Sequence, residues 1–400
     1  LKYTQVEEVF MNRDTLSLID SIAHEAIRMK ATPGCQVLIA KSGKEVYNKC
    51  FGYHTYDSLV PVNEFDVYDI ASITKIAATL PILMQKVDAR TFDVDKPFSN
   101  YLSVDDTCSK AKITSREVLA HQAQLWPWIP FYKNTLANGY PKYNYYSLVQ
   151  SETYPFRVAE NLFMHKDYPN QILSELLNTP LRESKKYKYS DLGYYFLTQI
   201  IQKQSNIQQD EYVAKNFYHP MGLSTTTYKP MNIHPKEIIV PTENDKTFRR
   251  QLVHGDVHDP GAAMMGGVAG HAGLFSNAND LAKIMQCFMN FGQYGGKRYI
   301  SEETVKEFVR CQFCEEDNRR GAGFDKPVRN GAGGPTCNCV SLESFGHTGF
   351  TGTMAWADPE KELVYVFLSN RTYPEASSNL LSKENIRENI QKIIYDSIIE

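Results

Sequence analysis

The chain has 400 residues, 43 basic and 46 acidic side chains, a formal charge of -3 and 42% hydrophobic residues. Two or three domains with an ample core fit that length, while the near-balanced charge offers no footprint for nucleic acid or an anionic membrane. No apolar run approaches the length of a membrane span, and the polar opening LKYTQVEEVF lacks the pattern of a signal peptide, so residence has to be judged from the chemistry of the chain.

In chain order, Asp14 to Lys30 reads as an amphipathic helix with Leu16, Ile19, Ile22, Ala23, Ala26 and Ile27 on one stripe, ended by Pro33-Gly34. Cys35 to Ala40 and Glu45 to Cys50 then flank a glycine-containing turn, the pattern of an antiparallel hairpin. The next apolar segment, VYDIASITKIAATLPILMQKV, carries Ser72 and Lys75. Residues three apart share a helical face, so the lysine amine is predicted beside the serine hydroxyl. A serine becomes a useful nucleophile when a neighbouring base takes its proton, and burial favours the basic form of a lysine. Pro81 is predicted to bend or break this helix.

From about 90 to 300 the pattern turns to helices and long loops, with helices predicted at Ser115 to His121, Asn170 to Leu177, Leu192 to Lys203, Gln209 to Phe217 and Asn279 to Phe291. The tyrosine-rich stretch from Tyr140 to Tyr154 fits a packed loop surface better than a substrate-facing wall. Strand chemistry returns at Gly352 to Ala357 and Leu363 to Ser369, followed by a terminal helix at about Glu384 to Ile399. Residues 1–88 and 300–400 therefore read as one sheet-containing α/β domain, and 89–299 as a mostly helical insertion.

Of the eight cysteines, Cys311, Cys314, Cys337 and Cys339 have a spacing that admits a zinc site, although free thiols or local disulfides fit it better. His254, His258, Asp259 and His271 cluster in sequence, but Gly255 and Pro260 argue for a loop with poor ligand spacing. The glycines from Gly266 to Gly270 lack the strand, helix and lysine of a phosphate cradle. No cofactor and no catalytic metal are expected.

Two later segments complete a constellation with the serine. Tyr187 to Tyr194 offers Tyr189 in a turn before a helix, and Gly346 to Gly352 offers His347-Thr348-Gly349 at a glycine-rich strand edge. Ser-x-x-Lys, Tyr-x-Asp and His-Thr-Gly in this order resemble the class C β-lactamase and low-molecular-weight penicillin-binding protein superfamily. Further phrases fall where that family has similar ones: Phe51-Gly52-Tyr53, Asp93 to Pro97, Val118 to His121 and Gly270 to Ser276. The resemblance covers nearly the whole chain. It implies an α/β fold of the α+β type, a central antiparallel sheet flanked by helices with the helical domain inserted after the serine helix.

Carried onto this chain, the resemblance implies that Ser72 is acylated, that Lys75 accepts or relays its proton and that Tyr189 activates the deacylating water. His347 would help hold Tyr189 and a polar group of the substrate. The backbone N–H groups of Ser72 and Phe350 would form the oxyanion hole, with Gly349, Asp191 and His271 lining the substrate site. Three departures stand out: Asp191 replaces an amide, His347 replaces a lysine, and Gln124 stands where His-x-x-Gly has glycine. The first two argue against an efficient β-lactamase, but not against acyl transfer. The phrases Val257 to Pro260 and Gly270 to Gly273 resemble a subgroup that includes cell-wall amidases acting on N-acetylmuramyl peptides.

The function implied is a serine hydrolase cleaving an amide or ester in peptidoglycan-derived or D-amino-acid peptides. The alternatives are a β-lactamase or general esterase, and a weakly active penicillin-binding or sensor module. The expected partners are a small peptide or muropeptide substrate and, through fusion or pairing, another cell-wall enzyme. The expected location is the bacterial periplasm or another exported compartment.

Overall fold

The computed structural model describes residues 1–328 and 333–399; the rest of the 300–400 segment lies outside the described residues. Strand β1 (Lys2–Tyr3) precedes helix α1 (Arg13–Arg28) and the hairpin of β2 (Gly34–Lys41) and β3 (Lys44–Gly52). Helices α2 (Leu80–Asp88), α3 (Leu192–Ser205) and α4 (Ala278–Met289) lead to strands β4 (Phe345–Thr348), β5 (Met354–Asp358) and β6 (Leu363–Ser369), and then to helix α5 (Ile386–Asp396).

The two ends of the chain build one six-stranded sheet in the order β1-β3-β2-β6-β5-β4. It is antiparallel except at its edge, where β1 runs parallel to β3 with Lys2 opposite Lys44. Side chains alternate between the faces of a strand, and here each face is buried under helices. Val37, Ile39, Trp356, Tyr365 and Phe367 pack with α1 and α5, while Leu38, Ala40, Ala355, Val364 and Val366 join the larger core on the other side. Burial on both faces explains why β6 reads as the unbroken run LVYVFLS. Each large apolar side chain buried there contributes roughly 1.5–3 kcal/mol.

The 89–299 range is less uniform than its sequence pattern implies. It holds a three-stranded sheet of Tyr146–Ser147, Leu162–Met164 and Phe156–Ala159, and a hairpin of Glu243–Asp245 with Gln251–Val253. Its last helix, α4, lies on the sheet against β2, β5 and β6. The apolar face of Leu281, Ile284, Met285 and Phe288 requires a partner, and the Ala278 N–H donates to Gln36 Oε1 of β2 at 2.9 Å. The boundary drawn at residue 299 therefore falls after a helix that belongs to the sheet layer.

Pro81 does not end the serine segment, whose helix runs on to Asp88, but a π-helical interruption lies just before it. A 3-10 turn (Ala71–Ile73) and a π-helical turn (Lys75–Thr79) lead directly into α2, and Pro81 stands just after the π-helical turn, where it withholds an N–H from the turn before it. The carbonyl four residues earlier, Ala77 O, accepts the Tyr218 hydroxyl at 2.9 Å instead. A second π-helical turn, Ala214–Tyr218, precedes Pro220 in the same way, and its freed Asn216 carbonyl accepts from Gln85 Nε2 at 3.4 Å. The two interrupted helices thus satisfy each other's orphaned carbonyls, fixing the segment that carries Lys75.

Candidate active site

The serine turn is held from several sides. Ala71 has φ 47°, a left-handed conformation that costs a non-glycine residue energy unless its surroundings impose it. Asp69 imposes it here: Oδ1 accepts the Ala71 N–H at 2.8 Å and Oδ2 accepts the His258 N–H at 2.7 Å. Thr351 and Thr353, beyond the end of β4, donate to the Asp69 and Ile70 carbonyls at 2.8 and 3.2 Å. Thr74 Oγ1 accepts the Leu274 N–H at 3.1 Å, tying the turn to the GHAGLFS segment. Gly349 completes the fit, because a Cβ there would meet the Ile70 carbonyl at 2.5 Å.

Around Ser72 the three motifs converge. Lys75 Nζ donates to Ser72 Oγ at 2.8 Å, to Asp191 Oδ1 at 2.6 Å and to the His271 carbonyl at 3.3 Å. Its side chain is 0% exposed, that of Asp191 20%. The Tyr189 hydroxyl donates to Ser72 Oγ at 2.9 Å. Burial, then the nearby Asp191 carboxylate, push the Tyr189 phenol well above its ordinary value, so it rests protonated. Tyr189 packs at a tilt against His121 with ring centroids 4.3 Å apart, and His121 anchors the loop by accepting the Ser190 N–H at 3.2 Å.

His347 hydrogen-bonds to neither Ser72 nor Tyr189. Its Nδ1–H donates to the Thr348 carbonyl at 2.7 Å, leaving Nε2 to accept from Arg320 at 3.2 Å. Burial, then the charges of Arg320 and Lys75, hold its imidazole neutral, well below the usual histidine range. The cation of this corner is Arg320, paired with Asp325 at 3.0 Å and lying over the Tyr189 ring at 5.2 Å. Beside it, Phe350 is 54% exposed between His258, at 5.6 Å, and the Arg371 guanidinium, at 4.5 Å from its ring centre. Among the described residues, the backbone N–H groups of Ser72 and Phe350 have no acceptor within the chain, as oxyanion donors require.

These groups line an open cavity of about 790 Å³. Its lining combines Trp128, Tyr132, Tyr187, Asp191, Asp259 and His271 with three arginines, Arg320, Arg371 and Arg387. His271 Nε2 lies 2.9 Å from Asp259 Oδ1 and its ring stacks on Tyr195 at 4.7 Å. Burial alone would raise the Asp259 carboxyl, but His271 and the Ala262 N–H outweigh it and hold it well below the usual carboxylate range. His258 pairs with Glu243 at 2.8 Å. Arg371 donates to the Ala376 and Ser378 carbonyls and makes no ion pair among the described residues. Burial, then the neighbouring Arg387, act against its charge, and Glu243 acts in its favour.

No group of three or more histidine, cysteine or acidic side chains suited to a metal ion occurs among the described residues. Cys311 bonds to Cys314 and Cys337 to Cys339, so the four thiols form local disulfides rather than one zinc site. Gln124 takes φ 56°, the left-handed conformation that favours glycine. Gln124 Nε2 donates to the Arg182 carbonyl at 2.8 Å. Sequence reasoning missed Arg320, Arg371 and the supporting role of His121. Arg320 reaches the site through a loop, where no helical or strand period marks it in the sequence.

The fold and the serine, lysine and tyrosine geometry are those of a serine hydrolase. The chain belongs to the beta-lactamase family, whose model matches residues 19–385. A protein of Escherichia coli O157:H7 named "Putative D-alanyl-D-alanine carboxypeptidase" is 32% identical over 370 residues, covering 85% of this chain and 79% of the relative. Among solved structures, a penicillin-binding protein homolog from Caulobacter crescentus aligns with TM-score 0.66 at 16% identity, over 97% of this chain and 98% of its own. EstCE1, described as a hydrolase with promiscuous acyltransferase activity, aligns with TM-score 0.66 at 15% identity, over 96% and 99%.

Proposed function

We propose that this chain cleaves an amide or ester in peptidoglycan-derived or D-amino-acid peptides through an acyl-enzyme on Ser72. The observation that carries this reading is Ser72 Oγ held by Lys75 at 2.8 Å and Tyr189 at 2.9 Å on the wall of an open cavity. Ser72 Oγ attacks the substrate carbonyl as its proton passes to Lys75, and the Ser72 and Phe350 N–H groups stabilise the oxyanion. Loss of one such donor typically raises the barrier by about 3 kcal/mol. Lys75 then returns a proton to the leaving group. Water then attacks the ester, giving a proton to the Tyr189 oxygen while the Tyr189 hydroxyl proton passes to Ser72 Oγ as its bond to the acyl carbon breaks.

The substrate class draws support from the arginines of the same cavity. Arg371 makes no ion pair among the described residues, with Glu243 acting on it only from longer range, and a carboxylate-bearing peptide would supply a close partner. The carboxypeptidase name of the curated relatives points the same way, as would an exported, cell-wall-facing location. No described helix is long and apolar enough to cross a membrane. Against β-lactams, His347 offers neither a charge nor a free donor, and Arg320 behind it is already matched by Asp325.

Incubation with a fluorophosphonate should add its mass to the wild type and leave Ser72→Ala unmodified; equal labelling of the variant would refute Ser72 as nucleophile. Comparing kcat/KM for nitrocefin, p-nitrophenyl acetate, D-alanyl-D-alanine peptides and N-acetylmuramyl-L-alanine peptides tests the substrate. Fast nitrocefin turnover with inert peptides would make the protein a β-lactamase.

A further inference from the structure

Lys75 at rest has three hydrogen-bond acceptors and an ammonium has three N–H groups: Ser72 Oγ at 2.8 Å, Asp191 Oδ1 at 2.6 Å and the His271 carbonyl at 3.3 Å. With every proton engaged, this nitrogen has no lone pair to accept the serine proton. One of its own protons must leave first. Of the three acceptors, a backbone carbonyl and an alcohol are far too weakly basic to hold it, whereas a carboxylate can. The other candidate bases are occupied: the Tyr189 hydroxyl is itself a donor to Ser72, and His347 Nε2 accepts from Arg320. His121 packs at a tilt against Tyr189 and has no hydrogen bond to Ser72 or Lys75.

We propose that Asp191 is the terminal proton acceptor of a Ser72–Lys75–Asp191 relay, a positioning and proton-holding residue acting through Lys75. The proposal rests on Ser72 being the acylated nucleophile. Lys75 is fully buried and only a fifth of the Asp191 side chain meets solvent. A substrate that covers this remaining surface removes water from the ion pair and favours its neutral form, amine and carboxylic acid, over two desolvated charges.

The step balances. A proton moves from Lys75 Nζ to Asp191 Oδ1, and the freed amine takes the Ser72 Oγ proton as Oγ bonds to the carbonyl carbon. The carbonyl π pair becomes the oxyanion, so the site holds an ammonium, a neutral acid and one negative oxygen, with no change in net charge. When the oxyanion collapses, the bond to the leaving group breaks and that group takes a proton from Lys75. Asp191 then returns its proton to Lys75, restoring the resting pair. In this chain the departure from an amide at residue 191 thus adds a base rather than merely subtracting a substrate contact.

The test is single-turnover acylation by p-nitrophenyl acetate, with the adduct located by mass spectrometry. Asp191→Asn should slow acylation at Ser72 by about 100-fold or more, and formate added to Asp191→Ala should restore about tenfold of that loss while leaving Lys75→Ala unchanged. Acylation of Asp191→Asn at the wild-type rate, or no response to formate, overturns the relay and leaves Ser72 as nucleophile. A wild type carrying no adduct on Ser72 instead overturns the nucleophile on which the relay depends. Should the variants misfold, a proton inventory on the wild type decides: a curved dependence on deuterium content supports two protons in flight, and a linear one overturns the proposal.

Discussion

The aromatic and acidic residues that line the Ser72 cavity, its aromatic wall, and the arginines that line it with them, its basic wall, treat their charges in opposite ways. On the aromatic wall each carboxylate already has a cationic or imidazole partner: Asp191 has Lys75 at 2.6 Å and Asp259 has His271 at 2.9 Å. On the basic wall Arg320 is matched by Asp325 at 3.0 Å, but the Arg371 guanidinium hydrogen-bonds only to backbone carbonyls, with Glu243 beyond ion-pair distance, and the nearest carboxylate oxygen to Arg387 is 3.9 Å away on Glu388. Charges satisfied internally can hold and move protons without attracting a ligand. Charges left unmatched are where an anionic substrate gains most. The first wall therefore carries chemistry and the second carries recognition, and mutations on the two should separate into effects on kcat and on KM.

The largest effect should come from Lys75→Met, which removes the base of Ser72 and strands Asp191. Loss of a positioned acid–base group typically lowers the rate by about 10²–10⁴-fold, and the upper end is expected here because no other base touches Ser72. Breaking a buried pair from one side also costs about 3–5 kcal/mol, toward the lower end for a partly exposed Asp191. A chemical melt and steady-state kcat together check this. Retention of more than a tenth of the wild-type kcat would dissolve the distinction between the walls.

Tyr189→Phe should lower kcat by roughly 10²-fold and let the acyl-enzyme accumulate. Its pH behaviour has a defined sign. The folded-state phenol is raised above its unfolded value of about 10. The stability this contributes is complete below pH 10 and is lost only as pH climbs through the range where the unfolded chain ionises and the folded site does not. A 295 nm titration of wild type against Tyr189→Phe should therefore show no phenolate from Tyr189 before alkaline unfolding. A phenolate forming at neutral pH would make Tyr189 a resting base and remove the need for Asp191.

On the basic wall, Arg371→Met should raise KM about tenfold for peptides ending in a free carboxylate, consistent with a hydrogen bond to a charged group at an open site. The corresponding peptide amides should be nearly unaffected, with kcat changed little for either. Equal losses on acid and amide would mean that Arg371 supports the loop through Ala376 and Ser378 and does not read the substrate.

Much of this was legible in the sequence because it is encoded locally. Ser72 and Lys75 are three residues apart, the Leu363 to Ser369 run announces a strand buried on both faces, and the stripe of α1 announces a helix packed on that sheet. Less was legible where the determinant is a distant partner. Pro81 reads as a helix breaker until Tyr218, 137 residues later, supplies the donor for the carbonyl it frees. Gln124 reads as a changed loop until Arg182 is seen to hold its left-handed backbone. Asp191 reads as a lost amide facing substrate until Lys75 is found bonded to it. Arg320 could not be placed from spacing, because the loop that delivers it follows no helical or strand period.

The smallest expected effect tests whether the aromatic wall has any share in recognition. Trp128 is 43% exposed on the cavity wall and stands 6.3 Å from Tyr132, whose ring stacks at 5.1 Å on buried Phe248. An indole supported from one side and open on the other offers a flat apolar surface, and covering such a surface is worth about 1 kcal/mol beyond that of a small side chain. Trp128→Ala should therefore raise KM three- to fivefold, about the amount that 1 kcal/mol sets. The increase should be larger for N-acetylmuramyl peptides than for bare D-alanyl-D-alanine, since a sugar ring can lie on the indole face and a short peptide reaches it less well. Because the residue touches neither Lys75 nor Tyr189, kcat and the burst of acylation should stay at wild-type values. A loss confined to kcat would place Trp128 among the groups that shape the catalytic wall, and an equal loss for both substrates would remove the sugar from the account.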